Sequence, residues 1–126
     1  MYSADDEVSL RCLIVDDNPS FLKAAASLLE REGVTVAGVA SAVADALRQA
    51  RDLSPDVVLV DIMLGHESGF DLARQLAGAG PSGPPVILIS TQAETDFADL
   101  IQEAPVAGFV PKLELSASAI RRLLGV

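Results

Sequence analysis

Four short apolar runs, each closed by a polar side chain, constrain this chain more than any other feature. Leu-Ile-Val at 13–15 is followed by Asp16 and Asp17, and Val-Val-Leu-Val at 57–60 by Asp61. Val-Ile-Leu-Ile at 86–89 is followed by Ser90 and Thr91, and Gly-Phe-Val-Pro at 108–111 by Lys112. Apolar runs this short fit buried strands. Lying parallel in one sheet, they bring three carboxylates, a hydroxyl and an ammonium to a single edge. That grouping suits a cation and a phosphoryl group.

The segments between the runs carry helical spacing. Leu10–Val15 reads as the first strand. Asn18 then caps a helix with Pro19 at its first position, and Phe21, Leu22, Ala25, Leu28 and Leu29 form its apolar stripe. Gly33 ends it, and Val34–Val39 is the second strand. Ser41 is the expected cap of a second helix that runs to about Leu53, with Val43, Ala46, Leu47 and Ala50 inward. Ser54-Pro55 breaks that pattern. Val57–Val60 is the third strand, and a loop with Gly65 and Gly69 leads to a helix carrying Phe70, Leu72, Ala73, Leu76 and Ala77. Residues 78–85 read as loop, and Val86–Ile89 as the fourth strand. Thr91 with Glu94 matches a capping box for a helix with Phe97, Leu100 and Ile101. Ala107–Val110 is the fifth strand, and Ser116 or a neighbour caps the last helix, with Ile120, Leu123 and Leu124.

Five strands alternating with five helices predict an α/β domain with a parallel sheet. Right-handed crossovers and helices on both faces make it doubly wound, with strand order 2-1-3-4-5 and the flavodoxin-like topology. The ligand site then lies at the switch point beside strands 1 and 3. At 126 residues the chain predicts one domain, with residues 1–8 as a flexible lead-in. Cys12 is the only cysteine and lies in an apolar run, so it reads as a small buried hydrophobe. The net charge of −9 argues against a nucleic-acid footprint and against docking to an anionic membrane.

The acidic cluster poses an electrostatic problem. Like charges about 4 Å apart repel by roughly 4 kcal/mol at an effective dielectric of 20. Three carboxylates therefore need a proton or a cation. Oxygen ligands favour a hard divalent ion, and Mg²⁺ is the expected one. Helix capping by the aspartates is the competing reading. It is weak for Asp17, because Asn18 caps better, and weak for Asp61, because the next helix starts several residues later. Lys112 adds a positive charge at the same edge, and Ser90 offers a hydroxyl. His66 has no second His or Cys beside it in the loop and reads as a solvated side chain.

These residues resemble the receiver domain of two-component response regulators, over nearly the whole chain. The pattern is an acidic pair after strand 1, an Asp after strand 3, Ser or Thr after strand 4 and Lys after strand 5. The resemblance implies that Asp61 takes a phosphoryl group from a phosphohistidine of a histidine kinase or phosphotransfer protein. It implies that Asp17, Asp61 and the backbone carbonyl of Met63 ligate Mg²⁺ (or Mn²⁺), that Asp16 acts through metal-bound water, and that Ser90 and Lys112 bind phosphoryl oxygens. Ser90 and Phe109 are the implied switch pair. They would act on the face of helix 4, strand 5 and helix 5, near Ala98, Ile101 and Val106, where a downstream protein or a second copy docks. A cytoplasmic protein that assists only its own phosphorylation and dephosphorylation is implied, not a conventional enzyme.

Some positions depart from the pattern. Pro111 precedes Lys112 and Leu113 follows it, where relatives often have a cis Lys-Pro bond. A cis Lys112–Leu113 bond costs about 2.5–4 kcal/mol more than trans. Gly65 stands where Pro is common. Met63, Thr91 and Gln92 are expected to set water access to the acyl phosphate. The Gly-Phe-Val-Pro-Lys ending followed by a short helix looks like the LuxR/NarL-type class, whose members usually add a helix-turn-helix domain. With no output domain in this sequence, a stand-alone receiver is the favoured expectation, and a receiver cut from such a regulator is the alternative. Two other readings are a receiver-like scaffold that needs no phosphorylation and a flavin protein of the same topology. The flavin reading is weakened by a first loop of Asp16-Asp17-Asn18-Pro19, which repels phosphate.

Overall fold

The structure is a computed structural model that describes residues 10–78, 83–92 and 94–126, with side chains of the last span from Asp96 onward. The expected lead-in at 1–8 and the capping box, which needs the Glu94 side chain, lie outside the described residues.

Five strands form one sheet: β1 (Leu10–Val15), β2 (Val34–Ala40), β3 (Val57–Asp61), β4 (Val86–Ser90) and β5 (Gly108–Pro111). Their order is β2-β1-β3-β4-β5 and every pairing is parallel. The helices are α1 (Pro19–Arg31), α2 (Val43–Leu53), α3 (Gly69–Ala77), α4 (Ala98–Glu103) and α5 (Ala117–Leu124). The fold is the doubly wound sheet expected from the sequence.

Two apolar layers explain why the strand runs show no polar alternation. Leu13, Val15, Val58, Val60 and Leu88 face one layer, packed with Ala46 of α2 and Leu72, Ala73 and Leu76 of α3. Cys12, Ile14, Leu59, Ile87 and Ile89 face the other, packed with Ala25 and Leu29 of α1 and Ile120 of α5. A strand covered on both faces has no solvent side to mark. Each fully buried Leu or Ile contributes about 1.5–3 kcal/mol relative to exposure.

Most boundaries follow from local chemistry. Asn18 Oδ1 accepts the N–H groups of Ser20 at 2.9 Å and Phe21 at 3.3 Å, with Pro19 at the first helical position. Ser68 Oγ caps α3 through Phe70 N–H, and Ser116 Oγ caps α5 through Ala119 N–H. Strand β5 ends one residue later than expected, at Pro111. As an edge strand it tolerates a residue without an N–H.

Two starts differ from the sequence expectation. Ser41 does not cap α2. The N-cap is Ala42, with no side-chain cap of its own, and Val43 N–H instead donates to Glu67 Oε1 at 2.9 Å. The helix expected at Thr91 begins as a 3-10 turn over Glu94–Phe97, and the α-helix starts only at Ala98. Phe97 and Ile101 are partly buried there against the first apolar layer.

Candidate functional site

Parallel pairing sets the site. Val15 of β1 is in register with Val60 of β3, so Asp16 and Asp61 leave the same edge side by side. Asp61 is in register with Ile89, and Ser90 with Pro111, which brings Ser90 and Lys112 to that edge too. Carboxylate oxygens of Asp16, Asp17 and Asp61 lie within 4.8 Å of one another. Asp16 is fully buried, Asp61 is buried and Asp17 is exposed.

Each acidic group is oriented by a different partner. Asp16 Oδ1 accepts Asn18 N–H at 2.8 Å, which ties it to the start of α1. Asp61 Oδ1 accepts Met63 N–H at 3.1 Å. Lys112 reaches across the sheet edge, donating to Asp61 Oδ2 at 3.0 Å and lying 2.5 Å from Asp16 Oδ2. The Asp16 contact is an ion pair without hydrogen-bond geometry, so Asp16 Oδ2 is buried with no hydrogen bond. Lys112 also sits 4.4 Å from the centre of the Phe21 ring, within cation–π range.

Burial pushes the Asp61 carboxyl above its ordinary value of 3.8. The Met63 N–H and the Lys112 ammonium pull it down, and the Asp16 charge adds to the rise. Burial alone would lower Lys112. Its close contacts with Asp16 and Asp61, and their charges, outweigh burial and raise it, which holds the ammonium charged. The donor set fits a hard cation: three carboxylates offer oxygens within reach of one point.

The loop after β3 frames the site. Met63–Leu64 and Glu67–Ser68 pair as a small antiparallel ribbon, turned at Gly65, whose φ of +64° favours glycine. Gly69 N–H donates to Ile62 O at 2.8 Å, closing the loop onto its own start. A Cβ at Gly69 would lie 2.1 Å from the Asp61 carbonyl oxygen, so only glycine allows this approach.

The other expected residues fall as follows. Ser90 is buried at the edge, and its Oγ accepts Gln92 N–H at 3.0 Å; among the described residues its hydroxyl hydrogen has no acceptor. Met63, Thr91 and Gln92 are exposed. Phe109 is buried in the first apolar layer, and His66 is an exposed loop residue, as expected. The Lys112–Leu113 peptide is trans, since the described residues contain no cis bond. Lys112–Glu114 forms a 3-10 turn that leaves Leu113 fully exposed. Sequence reasoning missed two residues: Phe21, which reads as one more member of an apolar stripe, and Glu67, whose partner lies 24 positions away. No local pattern signals either contact.

Comparison with known proteins agrees with this geometry. The chain is 35% identical over 96 residues to the DNA-binding response regulator MtrA of Mycolicibacterium smegmatis, covering 76% of this chain and 40% of that one. It is 31% identical over 118 residues to the response regulator GacA of Pseudomonas aeruginosa, covering 90% and 55% respectively. The chain thus spans about half the length of the curated relatives it matches. Among solved structures, the signal receiver domain of a modulated diguanylate cyclase from Desulfovibrio desulfuricans matches with a TM-score of 0.76 at 30% identity, covering 93% of this chain and 91% of that one. A two-component response regulator of the LuxR family from an Aurantimonas species matches with a TM-score of 0.78 at 27% identity, covering 93% and 86%. The family profile of the response regulator receiver domain matches residues 12–123, and the chain belongs to that family.

Proposed function

We propose that this receiver takes a phosphoryl group on Asp61 from a phosphohistidine of a histidine kinase or phosphotransfer protein. The observation that supports this most is the Lys112 ammonium bridging Asp16 and Asp61 at the carboxyl edge of the sheet. An Asp61 carboxylate oxygen attacks phosphorus, and the phosphorus–nitrogen bond breaks as the histidine nitrogen takes the electron pair. The nucleophile is ionised at neutral pH, so no general base is needed. Lys112 exchanges its bond with Asp61 Oδ2 for one with a phosphoryl oxygen. Ser90 donates its free hydroxyl hydrogen to another.

Asp17, Asp61 and the Met63 carbonyl are the proposed direct ligands of Mg²⁺ or Mn²⁺, with Asp16 acting through water. The cation supplies charge neutralisation on the carboxylates and the transferring oxygens, which is most of what phosphoryl transfer requires. Met63, Thr91 and Gln92 stand exposed around the site and control water entry, hence the lifetime of the acyl phosphate. Ser90 and Phe109 form the switch. Phe109 is packed inward, and its movement alters the face of α4, β5 and α5, where a downstream protein or a second copy binds. The chain acts as a signalling switch and not as a conventional enzyme, without direct nucleic-acid contact. Among the described residues no helix is long and apolar enough to cross a membrane, and a cytoplasmic setting suits this role.

The test uses a small phosphoryl donor with Mg²⁺ and intact-mass detection. The wild-type chain gains one phosphoryl group and Asp61→Asn gains none. An equal gain in both would overturn the assignment of Asp61. No gain in wild type, together with no response to beryllofluoride, would favour a scaffold that needs no phosphorylation.

A further inference from the structure

We infer that Glu67 is a positioning residue that ties the metal- and phosphoryl-binding loop to the N-terminus of α2. Helix α2 begins at Val43 behind Ala42, which has no capping side chain. Its first N–H group is satisfied from elsewhere: Val43 N–H donates to Glu67 Oε1 at 2.9 Å. A carboxylate at that place also meets the positive end of the helix dipole.

Glu67 is not a remote residue that happens to cap a helix. It pairs directly with Leu64 in the ribbon, and Ser68 beside it pairs with Met63. Ser68 Oγ in turn caps α3 through Phe70 N–H at 3.1 Å. The ribbon is therefore held at two helix N-termini, one through each of two adjacent side chains. Met63, on the opposite strand of the ribbon, donates its N–H to Asp61 Oδ1 at 3.1 Å. A short chain of contacts thus runs from Val43 through Glu67 and the ribbon to the carboxylate of Asp61. Leu64 anchors one side of the ribbon in the first apolar layer, while Met63 and Glu67 are exposed, so packing leaves this outer part of the ribbon unheld. The Glu67 bond adds a tether at the exposed strand of the ribbon, beside the packing of Leu64. Removing an outer partner that orients a metal-binding group typically costs 10–100-fold in affinity.

This inference deepens the proposed Mg²⁺ and phosphoryl site and rests on it. The test separates the tether from simple helix capping with three variants of the full chain. Glu67→Ala removes the bond. Glu67→Gln keeps an oxygen acceptor. Glu67→Ala with Ala42→Ser gives α2 its own cap while leaving the loop untied, and the extended backbone at Ala42 (φ −145°, ψ 158°) suits a capping residue. Thermal stability, amide hydrogen exchange at Met63 and Leu64 in metal-free protein, and Mg²⁺ affinity by NMR titration are measured for each.

Glu67→Ala is expected to lose thermal stability, speed exchange at both amides and weaken Mg²⁺ roughly tenfold. The added Ala42→Ser restores thermal stability but neither of the other two. Glu67→Gln stays close to wild type in all three. Unchanged exchange and affinity in Glu67→Ala overturns the tether, as does restoration of all three properties by Ala42→Ser. A wild-type chain that binds no Mg²⁺ overturns the metal site instead, and exchange in metal-free protein still decides the tether.

Discussion

Replacing Lys112 by Met is expected to destabilise the metal-free chain and to enlarge the stabilisation that Mg²⁺ provides. The Lys112 side chain is 11% exposed and its ammonium lies 2.5 Å from Asp16 Oδ2 and 3.0 Å from Asp61 Oδ2. Met keeps an unbranched apolar stem of nearly the same length but removes the charge, and with it the ammonium's contact with the Phe21 ring. Asp16 and Asp61 then face each other with oxygens less than 4.8 Å apart. At an effective dielectric of 20 that repulsion is about 3–4 kcal/mol. Asp61 can escape it by taking a proton, which costs about 1.4 kcal/mol per unit between its pKa and the solution pH. Breaking a buried pair typically costs 3–5 kcal/mol, and loss of the lysine's own desolvation cost places this case at the low end, near 3 kcal/mol. For a domain of this size the melting temperature falls by roughly 10 °C. The chain has no Trp, so unfolding is followed by far-ultraviolet circular dichroism or calorimetry, with EDTA and with Mg²⁺. Mg²⁺ replaces the missing charge, so it should raise the variant's melting temperature more than that of wild type. A variant melting within about 3 °C of wild type in EDTA, or an equal Mg²⁺ increment in both, refutes the charge argument.

Three further outcomes follow from the same geometry. Gly69→Ala forces the Asp61 carbonyl away from a Cβ that would lie 2.1 Å from it, costing about 2–3 kcal/mol, and denaturant titration measures it. Met63→Asn puts a polar group in place of an exposed apolar side chain and alters the acyl phosphate's lifetime; an unchanged rate of phosphate loss removes Met63 from the control of water entry. Burial pushes the Cys12 thiol up to about 12 from 9.0, against an opposing bond with the Leu59 backbone. Its contribution to stability is complete below pH 9 and is lost as pH rises toward 12, by about 1.4 kcal/mol per unit, because only the unfolded thiol ionises in that window. A thiol reagent at pH 8 should label Cys12 only as fast as the chain unfolds, and rapid labelling of native protein contradicts this burial.

The sheet, its strand order and the identity of the acidic edge were legible in the pattern of residues alone. Runs such as Val57–Val60 are apolar at every position because helices cover both faces, and parallel strands carry whatever follows them to one end. Asp16, Asp61, Ser90 and Lys112 needed only that rule to meet. Local caps were legible where a side chain serves its own helix, as with Asn18 and Ser116. Which partner each carboxylate takes, and where a helix is capped from a distance, came from how the elements dock. The start of α2 depends on Glu67, 24 positions away, and at the start of α5 Ala117 N–H donates to Glu32 Oε1, 85 positions away. The placement of Phe21 over the Lys112 ammonium also required α1 and the end of β5 to pack together. Periodicity and capping patterns act over a single turn or strand. A hydrogen bond or ion pair between distant segments is set by how the elements dock, so it leaves no repeating mark in the sequence.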